Sequence, residues 1–325
     1  MLRYKRRING RSARFSFPPD LTCITERIGL KILLVYYTGT YNTRFLTDRI
    51  AERFTALGCS VSKTEISRDT PVADLSEYDY VGLGYPVYAF NAPHPFMKYF
   101  KKLKFGRGQK FFIYKNSGET LGLNNASSRK ILRKTKKAGA TFCGEYHFVM
   151  PYNIHFEFDR GFIKQILEKD EKLMDIMFYN LSAGIAPVVK SNFVYNLCAF
   201  FIGIQAIGGA VNSLFYKTDE RCNGCGLCAK NCPNGNIRIK NGKAVFSRSC
   251  DMCMRCSFYC PQKAIKIGFL QGWQVNRYYD LYKLRKDGAP SEPYITEKSK
   301  GFYKCFIKTF DEIDRRHAEI FGGKK

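Results

Sequence analysis

From Leu30 onward the chain alternates short apolar runs with amphipathic stretches. Leu30–Tyr37 (LKILLVYY) is an apolar run of strand length with one charge at its start, the pattern of a strand buried on both faces. Asn42–Leu57 carries Leu46, Ile50, Phe54 and Leu57 at helical spacing, and Gly58 is placed to end the helix. Strand-like runs follow at Ser60–Ile66, Tyr80–Tyr85, Lys110–Tyr114 and Thr141–Met150, with helical stretches at Phe96–Leu103 and Ser127–Lys137 between the later ones. Five strands with interleaved crossovers predict an α/β doubly wound parallel sheet over residues 29–151.

Pro151 opens a helical connector, 152–216. Within it Phe162–Leu181 reads as a helix of mixed charge, and Phe193–Tyr216 runs 24 residues without a charge between Lys190 and Lys217. That length suffices to cross a bilayer. Asn196, Gln205, Asn212 and Ser213 dilute the run, however, and Gly208-Gly209 weakens a helix. A single span would also part the flanking domains across the membrane. The favoured reading is a pair of buried inter-domain helices. A dimer or membrane-surface contact through 193–216 comes second, and a true span third.

Composition narrows the class. A chain of 325 residues with 45% hydrophobic content holds about two domains and excludes a disordered tail protein. Eight of its thirteen cysteines fall between Cys222 and Cys260, which argues for a metal site in a reducing, cytoplasmic compartment and against an extracellular disulfide framework. The net charge is +25, but the cations form no sustained stripe, so nucleic acid is not the expected partner and acidic proteins are. Residues 1–28 are Arg-rich, with Asp20 their first acid. An organelle-targeting presequence, a disordered basic arm and an early start codon remain open for them. Residues 271–325 form a C-terminal tail.

The chemistry lies in the cysteine block. Residues 222–232 read CNGCGLCAKNC and residues 250–260 read CDMCMRCSFYC, each followed by Pro. Both fit C-x2-C-x2-C-x3-C-P, and the second copy is displaced by 28 residues throughout. This is the bacterial two-cluster ferredoxin run, whose fourth Cys ligates the other cluster. Cys222, Cys225, Cys228 and Cys260 are thus assigned to one 4Fe–4S cluster, and Cys250, Cys253, Cys256 and Cys232 to the other. Structural zinc gives no reason for cysteine triplets twice over. Ile237–Lys240 and Lys243–Phe246 flank Asn241-Gly242, a hairpin signal, which completes a small α+β ferredoxin domain over 217–270. Ten Lys or Arg against Asp219, Glu220 and Asp251 surround the cysteines; this is either a solvated basic face or a field that raises the cluster potentials.

After the first strand, Thr38-Gly39-Thr40-Tyr41-Asn42-Thr43 opens the first helix. Hydroxyls and backbone N–H groups at a helix N-terminus make an anion site without a cation, suited to one terminal phosphate; an N-capped helix with no ligand is the bland alternative. The loop resembles the FMN-phosphate loop of flavodoxins. The resemblance implies that Gly84-Tyr85-Pro86-Val87-Tyr88 lines the flavin ring, with Tyr85, Pro86 and Tyr88 as its contacts, and that Asn116-Ser117-Gly118 is the third flavin loop. Packing is the plainer role for the two tyrosines. The expected FMN contacts are therefore Thr38, Gly39, Thr40, Asn42, Thr43, Tyr85, Pro86, Tyr88, Asn116, Ser117 and Gly118.

As a whole, residues 30–269 resemble the fused flavodoxin-domain plus two-cluster ferredoxin proteins found mainly in anaerobic bacteria, and Trp273–Tyr278 (WQVNRY) is similar to the stretch after the second cluster in those proteins. The resemblance implies a flavodoxin-like sheet, the helical connector and the ferredoxin domain, passing single electrons between two clusters and FMN, with unassigned donor and acceptor proteins. Tyr41 departs from it, standing where many relatives have Gly. No nucleophile–base set or carboxylate pair is apparent, and His94 between two prolines reads as structural. The alternative is a binding or redox-sensing protein whose clusters are structural and whose flavodoxin-like domain is empty.

Overall fold

A computed structural model describes residues 29–189, 191–202, 205–275, 279–290 and 292–322. The basic extension 1–28 and part of Trp273–Tyr278 lie outside the described residues. Strands β1 (Lys31–Tyr36), β2 (Ser60–Glu65), β3 (Tyr80–Pro86), β4 (Lys110–Ser117) and β5 (Thr141–Val149) form one parallel sheet in the order β2-β1-β3-β4-β5. That order is the flavodoxin-like doubly wound topology, so the expected fold class is observed. Ile32, Leu33, Leu34 and Val35 of β1 are all buried, as a central strand covered on both faces requires.

Helix α1 (Asn42–Ala56) lies on one face of the sheet, and α2 (His94–Phe100) and α3 (Arg129–Lys137) lie on the other. Helix α4 (Arg160–Ser182) joins the α1 face through Phe162, Ile166, Met177 and Phe178. The helix expected in a connector is therefore the last layer of the sheet domain. Two buried arginines of α1 tie it down. Arg49 Nε donates to Glu171 Oε1 at 2.9 Å, and Arg53 reaches Glu171 Oε2 at 2.6 Å and pairs with Asp175.

The C-terminal residues do not form a bare tail. Helices α9 (Leu281–Lys286) and α10 (Lys304–Phe321) fold back onto the same face, where Phe306 and Phe310 bury their rings against Phe162. The uncharged run also departs from expectation. It is helical at α5 (Phe193–Ile202) and α6 (Gln205–Asn212), on either side of residues outside the described set, with a 3-10 turn at Ser213–Phe215. By length and composition Phe193–Phe215 is apolar enough to cross a membrane. In α5 only Ala199 is buried, whereas Phe193, Phe200 and Phe201 face outward at 77%, 65% and 60% exposure. The expected burial between domains fails because the neighbours cover one side of α5 alone.

Candidate functional site

The cysteine segment folds as two half-turns of one design. Single-turn helices α7 (Leu227–Lys230) and α8 (Arg255–Phe258) each follow a left-handed residue between the second and third Cys: Gly226 at φ 75° and Met254 at φ 59°. Gly224 and Met252, then Gly235 and Lys263, repeat the left-handed backbone at the same 28-residue offset. Such a φ costs a side-chain-bearing residue energy, so the second copy holds three strained positions where the first uses glycine. The pairing interlocks the copies. Strand β6 (Tyr216–Thr218) runs antiparallel to β9 (Ile265–Ile267), and β7 (Ile237–Lys240) to β8 (Lys243–Phe246). The β7–β8 turn falls on Asn241 and Gly242, both left-handed, as the sequence requires.

This interlock brings distant cysteines together. Cys222, Cys225 and Cys228 line one concavity with Cys260, beside Ile239, Ala244 and Ile265. Cys232 falls near the other triplet: burial first raises Cys250, Cys253 and Cys256, and the Cys232 thiolate adds to the rise in each. The fourth thiolates receive matching backbone donors: Asn236 N–H to Cys232 Sγ at 3.3 Å and Ala264 N–H to Cys260 Sγ at 3.4 Å. The environments of the two sets differ. Burial, then the neighbouring Cys253, pushes Cys250 up to about 12. Burial also acts on Cys222, but donors from Gly224 and Ala244 with Lys243 overcome it and lower its thiol. Among the described residues no group of three or more His, Cys, Asp or Glu is placed to hold a single metal ion.

The second set lies against the carboxyl edge of the sheet. Arg255, between Cys253 and Cys256, donates from Nε to Gly39 O at 2.7 Å and from Nη2 to Thr38 O at 2.7 Å and Glu65 Oε1 at 3.3 Å. Tyr259 OH donates to Thr40 O at 2.8 Å. Three successive carbonyls of the expected phosphate loop are thus held by the ferredoxin segment. Tyr41 takes a left-handed φ of 69°, the backbone a glycine would adopt there, and its ring packs on Tyr259 with the guanidinium groups of Arg44 and Arg255 over it. Gly39 is confined further: a Cβ there would lie 2.2 Å from Tyr88 OH and 2.8 Å from Cys253 O.

These contacts correct the expected flavin site. Thr43 Oγ1 donates to Asn116 Oδ1 at 2.8 Å, and Asn42 Nδ2 to Pro151 O at 2.8 Å, so neither is a free phosphate donor. Thr38, Thr40, Asn116, Ser117 and Pro86 are buried, and Ser117 Oγ is engaged by Glu119 O and His147. Tyr85 is fully buried on Phe96 instead of facing a ligand, and Gly118 lies under the Tyr152 ring. Helix α5 packs just beyond the two expected ring loops, with Asn91 Nδ2 donating to Ala199 O at 2.8 Å on one side and Tyr195 against Gly122 on the other. As arranged, the residues do not present the expected FMN side chains freely, since Asn42, Thr43 and Ser117 are engaged by other protein groups, and Arg255 and Tyr259 hold the loop through its carbonyls.

They do fit an iron–sulfur cluster. The hydroxyls of Tyr37 and Tyr88 are buried beside Cys253 with no partner among the described residues, as is Thr38 Oγ1. Burial first and the Cys253 thiolate second raise both phenols well above their ordinary range, so each stays protonated with a hydrogen to donate. Sequence reasoning missed Tyr37, Glu65, Arg255 and Tyr259; only the position of Arg255 inside the cysteine triplet gave a signal. His94 has an exposed side chain whose Nδ1 sits 3.9 Å from Asp251 Oδ1.

Residues 215–238 match the family model of the 4Fe-4S binding domain, across the first cysteine run. One curated relative, the DNA-directed RNA polymerase subunit Rpo3 of Methanosarcina mazei, is 36% identical over 83 residues. That stretch is 24% of this chain and 29% of the relative, so the chain spans less than a third of the relative's length. Among solved structures, a short-chain flavodoxin associated with a non-canonical PDU bacterial microcompartment is 21% identical with a TM-score of 0.38, over 48% of this chain and 99% of that one. Flavodoxin 1 from Bacillus cereus is 15% identical with a TM-score of 0.34, over 46% and 97%. The chain carries a 4Fe–4S-binding segment beside a flavodoxin-like α/β sheet.

Proposed function

We propose that this chain is a cytoplasmic electron-transfer protein with two 4Fe–4S clusters, in which the flavodoxin-like sheet serves as the wall of the second cluster site and not as a flavin holder. The observation that carries the reading is the crossed grouping of the cysteines, Cys260 with the first triplet and Cys232 with the second. Cys222, Cys225, Cys228 and Cys260 would hold one cluster, and Cys250, Cys253, Cys256 and Cys232 the other. A bound cluster takes up and releases one electron at a time. The chain's own groups set the conditions for that. Tyr37 and Tyr88 supply donors beside Cys253, and Arg255 places a positive charge between the second triplet and the sheet.

Iron and acid-labile sulfide should each approach about eight per chain in anaerobically purified protein. Values near four would remove one cluster, and zinc in place of iron would overturn the reading. The same preparation, denatured by heat, should release no stoichiometric flavin. FMN at one per chain would overturn the flavin-free part of the reading.

A further inference from the structure

Among the described residues, an exposed apolar surface at α5 and α6 has no role in the proposed electron transfer. Helices α5 and α6 and the turn after them present Phe193, Phe200, Phe201, Ile207 and Phe215 outward, and Phe269 joins them through a ring contact with Phe215 at 4.4 Å. The run carries no charge over 24 residues. Exposed aromatic and aliphatic side chains on this scale mark an interaction surface.

Its neighbourhood gives the partner's chemistry. Helix α3 (RKILRKTKK) follows directly on the 3-10 segment Gly122–Ser128, against which α5 packs, and holds six cations and no acid in nine residues. Arg129 Nη1 bonds Asn196 O of α5 at 3.3 Å, so the basic helix and the apolar helix are joined directly. Lys130, Arg133, Lys136 and Lys137 are exposed. Lys190 and Lys217 flank the apolar run in sequence. We infer that the α5–α6 face and the basic α3 helix dock together on an anionic membrane surface, with the aromatics in the interface and the cations on the headgroups. A second copy of this chain is a poorer occupant, since it would bring the same basic helix and a further +25 charge.

The segment lies on the bilayer and does not cross it. By length and composition Phe193–Phe215 would suffice for a span, so what keeps α5 and α6 at the surface is their attachment to the rest of the protein. Both are held by the protein on their inner sides. Asn91 and Arg129 bind carbonyls of α5, and Asn212 binds Ile267 O at 3.1 Å and Phe269 N–H at 2.9 Å. In α6, Gly209 lies against the loop of the second cysteine set, where a Cβ would be 2.8 Å from Cys250 O. Docking would therefore bring that loop within about one helix diameter, roughly 10 Å, of the lipid.

The test is sedimentation of the full iron-loaded chain with vesicles. Wild-type protein should pellet with phosphatidylcholine vesicles containing about 30% phosphatidylglycerol, and partition at least tenfold less onto pure phosphatidylcholine, at about fivefold per cation engaged. Binding should weaken as salt rises. Phe200→Asp with Phe201→Asp should lose tenfold or more in partition while iron content and circular dichroism stay unchanged. Lys136→Glu with Lys137→Glu should lose anionic-vesicle binding selectively. Wild type remaining in the supernatant with both vesicle types would overturn the inference. So would equal binding by wild type and the Phe variant, or light scattering that shows a dimer dispersed by that variant with no vesicle binding.

Discussion

The Arg255 guanidinium donates from Nε to the carbonyl of Gly39 at 2.7 Å, joining the second cysteine triplet to the loop that opens the first helix. With Thr38 O at 2.7 Å, it satisfies two buried carbonyls at once, in a site that is itself buried. One side chain thereby decides two things. The ferredoxin segment docks on the ligand edge of the sheet, and it holds the carbonyls of the expected phosphate loop.

Removing that side chain should open the interface. Arg255→Ala leaves the Thr38 and Gly39 carbonyls without a charged donor, a loss of about 3 kcal/mol. Arg255→Lys keeps a charge but cannot reach both carbonyls in fixed geometry, and should fall between the two. The melting midpoint should drop, and hydrogen exchange at residues 38–41 should accelerate. Unchanged exchange there would mean that Arg255 does not hold the interface.

The crossed cysteine grouping separates two ligand schemes. Cys260→Ser should deplete the cluster of Cys222, Cys225 and Cys228, and Cys232→Ser the cluster of Cys250, Cys253 and Cys256. Paramagnetic resonance of the reduced variants distinguishes the two clusters. If each substitution damages the cluster of its own triplet instead, the copies ligate independently and the interlock has no role in ligation.

The Tyr37 and Tyr88 rings meet edge to face at 6.5 Å, and their hydroxyls lack partners among the described residues. Donors beside a cluster stabilise its reduced, more negative form. Tyr88→Phe should therefore lower the midpoint potential of the second cluster and leave the first where it was. Tyr37→Phe should act in the same direction. A redox titration followed by paramagnetic resonance reads both, and equal shifts in the two clusters would point to a general loosening of the fold.

Acid should weaken the α1–α4 contact. Burial alone would raise the Glu171 carboxyl, but hydrogen bonds and charge from Arg49 and Arg53 hold it down at about 2. A carboxyl depressed in the folded state contributes stability above its unfolded value, about 4.3, and loses it as pH falls toward 2. The contribution at neutral pH is about 2–3 kcal/mol. Glu171→Gln should lower stability at pH 7 and flatten its fall between pH 4.5 and 2 in denaturant titrations. A wild-type stability that does not change across that window would remove the ion pairs as a source of stability.

The sequence alone carried the local rules. The apolar run of β1, the stripe of Leu46, Ile50 and Phe54 and the turn at Asn241-Gly242 each encode an element within a few residues, because periodicity and turn chemistry are short-range. The cysteine spacing encodes its metal chemistry in the same way, since a cluster's thiolates must recur at fixed intervals along the chain. What only the tertiary structure decided lies between segments far apart in sequence. Nothing local distinguishes Arg255 as the donor to Thr38 and Gly39, more than two hundred residues away. Nor does local pattern show that α5 packs against Asn91 and Gly122, or that Thr43 turns its hydroxyl to Asn116. The apolar run of residues 193–216 shows the limit most plainly. Hydropathy says that such a run avoids water, but whether protein or lipid covers it depends on which neighbours the fold brings, and here they cover only one side.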